Sequence, residues 1–190
     1  MSNLSTSDIK RVQSITSLTD VTPEFEEFIA SLPIDVRKSL AASRDVPVDL
    51  LVFFSASKSC NIRKLVARND ATPEETLLFL LNDRNKGVIG AVVLRCNASQ
   101  SLSDKCLSHP NGLVRWFLAR NTRSDSVLEV LSRDLSYGVR RQVLHNSLTP
   151  ASVVERLCGD SHPLVAGEAK MLASGETTAE VLREIYNSER

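Results

Sequence analysis

An apolar residue, followed by arginine in four of six instances, returns along this chain at a nearly constant interval. The pairs are Val36-Arg37, Ile62-Arg63, Val88-Ile89, Val114-Arg115, Val139-Arg140 and Val165-Ala166, at steps of 26, 26, 26, 25 and 26 residues. Other positions hold the same phase. Four after the first apolar residue stand Leu40, Val66, Val92, Leu118, Val143 and Ala169, followed by Ala41, Ala67, Val93, Ala119, Leu144 and Lys170. Seven after it come Ser43, Asn69, Arg95, Asn121, Asn146 and Leu172, and five before it Ser57, Asp83, His109, Asp134 and Asp160. A self-similar period of this length is the signature of a repeat architecture.

Each unit predicts two short helical pieces. In "NIRKLVARNDATP" (61–73), Ile62, Leu65 and Val66 share one stripe at helical spacing, with Lys64 and Arg68 on the opposite side. Asn69 suits a helix end, in a left-handed conformation or as a cap for the next segment. Thr72 as N-cap, Pro73 at the first helical position and Glu75 three beyond the cap predict a second helix opening with a capping box. Thr149-Pro150 and Thr22-Pro23 repeat that start, and Val46-Pro47 keeps the proline. The second piece carries Leu77, Leu80 and Leu81 here, and Leu51 and Phe54 one unit earlier.

Helix pairs this short cannot bury their own apolar faces, so neighbours must stack. The expected fold is all-α: a right-handed α-solenoid of about six short helical repeats on the 26-residue period. Residues 1–190 form one repeat domain in this reading. Residues 8–34 are a degenerate capping repeat, with Ile9, Val12, Ile15 and Leu18 on one stripe and Phe25, Phe28 and Ile29 following. Five regular repeats occupy 35–163. A half repeat and a last helix over 177–186, with Val181, Leu182 and Ile185 inward, close residues 164–190.

Composition narrows the class. Apolar residues make up 42% of the chain, enough for a continuous core, while no apolar run approaches the roughly 18–20 residues of a membrane span. Cys60, Cys96, Cys106 and Cys158 stand singly, without a metal-ligand spacing, and read as buried thiols in a reducing compartment. With a polar N-terminus unlike a signal peptide, this predicts a cytoplasmic protein. Net charge is zero but uneven: residues 35–150 hold 17 basic and 11 acidic side chains, and both flanks are acidic.

The phrase V-R-x-x-V-A-x-N-x-x-T-P-x-x-x-L-x-x-L, best kept at 62–80, resembles the leucine-rich repeat variant, a bacterial right-handed superhelix of alternating α and 3₁₀ helices. An Asp followed six residues later by Arg (Asp134 and Arg140) is similar to the Asp–Arg ladder of HEAT repeats. The resemblance covers roughly residues 35–172 and implies a repeat fold. The unit here is slightly longer than that family's usual one. Founding members carry an N-terminal cysteine cluster for an iron–sulfur centre; with no cysteine before Cys60, none is expected here.

Catalytic motifs are missing: no glycine-rich phosphate loop, HExxH or G-x-S-x-G. His109 and His162 precede prolines in turns, where turn and cap roles are expected. His145 stands in a third repeat. Cys106 lies in a core column, which argues against a Cys106–His109 nucleophile pair. HEAT-like solenoids include alkylpurine DNA glycosylases, which rely on aromatic residues, but here only Trp116 and Tyr137 lie near the basic columns. No enzyme, metal or cofactor is expected.

What remains is surface. Lys64, Arg68, Trp116, Arg120, Arg141 and His145 fall on two outward columns of the first helices and would form a ridge in a stacked array. A tryptophan among arginines suits a protein or peptide partner. It equally suits a nucleic acid, with the ring on a base and the arginines on phosphates, or a ring lying flat on its neighbours' stems. The column of Arg37, Arg63, Arg115 and Arg140 lies at the seam between repeats. There it would reach Asp83, Asp134, Asp160 or loop carbonyls as structural glue. Oligomeric state is left open.

Overall fold

A computed structural model describes residues 23–175. The N-terminal stripe from Ile9 to Leu18 and the helix expected over 177–186 lie outside the described residues. Within them the protein is all-α: twelve α-helices, one 3₁₀ turn and no strand. No helix among the described residues is long and apolar enough to cross a membrane. The chain divides into two compact units, Met1–Arg95 and Cys96–Arg190.

The first unit contains α1 (Pro23–Ser31), α2 (Ile34–Ala42), α3 (Val48–Ser55), α4 (Cys60–Arg68), α5 (Glu74–Leu80) and α6 (Lys86–Val93). The central helix α4 lies against both α2 and α6, and α3 against α5. The second unit contains the 3₁₀ turn Cys96–Ala98, α7 (Gln100–Leu107), α8 (Gly112–Asn121), α9 (Asp125–Leu131), α10 (Tyr137–Leu144), α11 (Ala151–Leu157) and α12 (Pro163–Ser174). There α10 takes the central place, against α8 and α12. Gly175, at φ 73°, ends α12 in the left-handed conformation that glycine adopts at least cost.

Burial follows three columns. Ile62, Val66 and Ala67 of α4 are inaccessible, as are Val114, Leu118 and Ala119 of α8 and Val139 and Val143 of α10. Leu65, expected inward, is only half-buried, and Ala67 takes its place beside Val66. The alanine permits the close approach of neighbouring helices. From the second helices, Leu51, Phe54, Leu77, Leu80 and Leu81 complete the interior of the first unit. None of these helices exceeds twelve residues, a length marginal in isolation, so packing sustains them.

Three local expectations change. Where the family resemblance implied 3₁₀ second helices, the structure has α-helix; only their exits tighten, as in Asn82 N–H to Phe79 C=O and Asp83 N–H to Leu80 C=O. Pro73 sits at ψ 149°, outside the helix, and α5 begins at Glu74 without a side-chain cap. Thr72 is therefore not its N-cap. Its buried hydroxyl donates to Val66 C=O (2.6 Å), a second donor to a carbonyl that already accepts Asn69 N–H, and Thr149 does the same to Val143, which also accepts Asn146 N–H.

Asn69 is extended (φ −73°), not left-handed. Its Nδ2 donates to Ala41 C=O (3.0 Å) and Ser43 C=O (2.7 Å) at the end of α2, while Oδ1 accepts from Ala71 N–H. Asn146 is bonded likewise to Ala119, Thr122 and Leu148 at 2.8, 3.0 and 2.9 Å. Arg95, in the same sequence column, reaches Asn69 C=O at 2.6 Å. These three side chains tie their own helix exits to a helix exit 24 to 28 residues earlier.

Because Asn146 is buried, Asn146→Ala leaves two carbonyls and one N–H without their partner. We expect a loss of about 2–3 kcal/mol in urea unfolding. A loss below about 0.5 kcal/mol, the range of ordinary surface substitutions, would show that these bonds hold nothing together.

Candidate functional site

The arginine column occupies the fourth residue of its helices. Arg63 Nε and Nη2 meet Asp83 at 2.5 and 2.9 Å, while Nη1 donates to Ser57 C=O (2.7 Å) and Lys58 C=O (3.3 Å). Arg115 repeats this with Asp134 (2.6 and 3.1 Å) and the carbonyls of His109 and Pro110. So does Arg140, with Asp160 (2.7 and 2.8 Å) and the carbonyls of Asp134 and Leu135. Each aspartate also accepts the N–H two residues ahead, which orients the carboxylate. The bidentate geometry is the strong form of this contact.

The aspartate six residues before an arginine is thus not its carboxylate partner. Asp134 offers Arg140 its backbone carbonyl and gives its carboxylate to Arg115, 19 residues earlier. Arg37, the fourth member of the column, stands apart. The corresponding turn holds Ser57 instead of aspartate, and Arg37 Nε is buried with no hydrogen-bond partner among the described residues.

Electrostatics agree with the geometry. The bonds from Arg63 hold the Asp83 carboxyl below the usual carboxylate range, and Arg140 does the same for Asp160. At Asp134, burial pushes the carboxyl up, but Arg115 and the Ser136 N–H outweigh it and the net direction is down. The three arginines are correspondingly raised. Burial, with help from Arg115, lowers His109, favouring its neutral form.

The ridge residues divide between the units, Lys64 and Arg68 in the first and the other four in the second. On α4, Lys64 is half-buried and Arg68 exposed. On α8, Trp116 is half-buried rather than fully exposed: its ring meets Phe117 edge-on (5.1 Å) while the exposed Arg120 guanidinium lies 5.7 Å from its centroid. On α10, Arg141 is bonded to Glu168 of α12 (2.7 Å), and His145 Nε2 is 3.2 Å from the same carboxylate. Glu168, which the sequence columns missed, stands one place beyond Gly167 in Arg141's column. It offsets charge that a count of basic residues leaves in place.

Cys96 and Cys106 are free thiols, buried with their sulfurs 3.2 Å apart, and the hydrogen bond between them, then burial, pushes the Cys96 thiol up. Cys60 and Cys158 are half-buried, not buried. His109 Nδ1 accepts Asn111 N–H inside its own turn (3.1 Å). His162 precedes α12, and its ring stacks on Tyr137 at 3.8 Å.

No known protein-family model matches the chain, and no curated protein matches it either.

Carboxyls held below their unfolded pKa contribute stability that is complete above about pH 4 and lost as pH falls through the folded value. Asp134→Asn should cost about 2 kcal/mol at pH 7, read by urea unfolding, and should also shrink the loss of stability on acidification. An unchanged acid slope would mean that Asp134 titrates as an exposed carboxylate.

Proposed function

We propose that this protein is a non-enzymatic repeat scaffold that binds a protein or peptide partner along the outward face of its first helices. Its helix pairs are read as units of an α-solenoid like that of the leucine-rich repeat variant. The observation that carries the reading is the Trp116–Arg120 pair on α8: a large ring held at its edge by Phe117, with an exposed guanidinium over its face. Tryptophan and arginine dominate protein–protein hot spots, and a ring already fixed by its neighbours loses little entropy on binding. The clamped arginines and the buried asparagines are committed to joining helix pairs and the exposed Arg141 is bonded to Glu168, which leaves Arg68 and Arg120 as the exposed ridge guanidiniums without a carboxylate partner among the described residues.

The basic excess over residues 35–150 favours a second reading, a solenoid that binds nucleic acid. Glu168 weakens it by bonding Arg141 and lying 3.2 Å from His145 Nε2.

Trp116→Ala combined with Arg120→Ala should abolish capture of a partner from the native cell while leaving the melting temperature within a few degrees. Partner capture that survives the double substitution would place the contact elsewhere. Affinity for generic DNA or RNA separates the second reading, because phosphate neutralisation requires a steep fall with salt. Absence of binding at about 50 mM salt would exclude it.

A further inference from the structure

Three of the four column arginines face an aspartate, and the fourth faces a cleft. Around Arg37 lies a cavity of about 800 Å³ whose walls include Ile34, Phe53, Phe54, Ser57 and Lys58. Three features distinguish this place from the closed clamps. Ser57 occupies the aspartate position, 20 residues after Arg37 as Asp83 is after Arg63. The turn before α2 is shortened to Leu32 and Pro33, whereas four residues separate α3 from α4, and among the described residues Arg37 has no carbonyl bonds like those of Arg63 to Ser57 and Lys58. Arg37 Nε is buried and lacks a hydrogen-bond partner among the described residues.

The turn itself is preserved. Ser57 Oγ accepts Ser59 N–H at 3.3 Å, the bond that Asp83, Asp134 and Asp160 make two residues ahead. Only the carboxylate is missing. A buried guanidinium nitrogen without an acceptor carries a desolvation cost that an incoming carboxylate would remove. The fork geometry of the guanidinium matches a planar carboxylate on two nitrogens, which the closed clamps show for this column. The aromatic and aliphatic walls suit the apolar neighbour of an acidic residue, and the volume is that of a ligand pocket.

We infer that the Arg37 cleft is a recognition site for an aspartate or glutamate side chain on a partner peptide, seated where Asp83, Asp134 and Asp160 sit in the closed clamps, with an adjoining apolar side chain against Phe53 and Phe54. This deepens the scaffold reading and rests on it, but the cleft lies in the first unit and is tested without the Trp116–Arg120 partner.

The probe is an acetylated, amidated Phe-Asp-Leu peptide titrated into the ¹⁵N-labelled full chain, with Phe-Asn-Leu as control. The Asp peptide should shift the Arg37 Nε–H resonance and the amides of Phe53, Phe54 and Lys58, and the Asn peptide should not. Ser57→Asp should close the clamp internally, weaken the peptide about tenfold or more and raise the melting temperature. Arg37→Gln should also abolish binding; circular dichroism checks that both variants fold. Several outcomes overturn the inference: no shift at millimolar Asp peptide, equal shifts from both peptides, undiminished binding by Ser57→Asp, or tighter binding of a Phe-phosphoserine-Leu peptide. A shift of the Arg37 Nε–H signal by Asp20→Asn in the free chain would overturn it too, because the chain's own N-terminal segment would then fill the cleft. Failure here leaves the Trp116–Arg120 contact standing, and loss of that contact leaves this cleft standing.

Discussion

A helix of seven to ten residues has more loose ends than it can tie. Its last turn leaves carbonyls without donors, and its apolar stripe is too small to close on itself. Nearly every polar residue placed with care in this protein answers that constraint. Thr72 and Thr149 take a carbonyl of the helix they follow. Asn69 and Asn146 carry two donors to the exit of the helix before. Arg63, Arg115 and Arg140 join the turn ahead of their own helix to a turn whose aspartate lies 19 or 20 residues further on. The apolar columns could slide or rotate against one another, since hydrophobic contact is non-directional. These bonds fix their register.

The same constraint shapes the functional reading. A guanidinium that fastens two turns is withdrawn from the surface, so the basic residues fall into groups of different meaning. Arg63, Arg115 and Arg140 are structural. Arg141 is held by Glu168, which also approaches His145. Arg68 and Arg120 are exposed and meet no carboxylate among the described residues, the second lying over the Trp116 ring. Arg37 belongs to the structural column by sequence and to none of these groups by environment, because Ser57 withholds the carboxylate that its position supplies elsewhere. A gap in a repeated contact is informative in a way that an isolated buried arginine would not be. The intact copies show what the place is shaped to hold.

Much of the fold was legible because periodicity survives substitution. Val66, Leu118 and Val143 mark one buried position with different letters, and the spacing alone finds them. Partnerships were harder to read. Asp134 and Arg140 stand six apart and invite pairing, yet the carboxylate turns to Arg115 while the carbonyl serves Arg140. A sequence does not say which atom of a residue makes the bond. Thr72 before Pro73 looks like a helix start, but the proline's extended ψ puts it outside the helix and frees the hydroxyl to point backward. Glu168 escaped notice because it sits one place off Arg141's column, a shift that the reach of both side chains absorbs.

The sequence by itself determined the all-helical character of the described residues and the columns that form their interior, because those follow from where apolar side chains recur and from short helices needing neighbours. Tertiary structure decided which polar groups meet: the direction of the arginine clamps, the reach of the asparagines to earlier helix exits, the charge that Glu168 offsets, and the cleft left at Arg37. Those outcomes depend on distances between residues 19 to 28 positions apart. Hydrogen bonds are settled by tenths of an ångström and by angle, and neither is written in spacing.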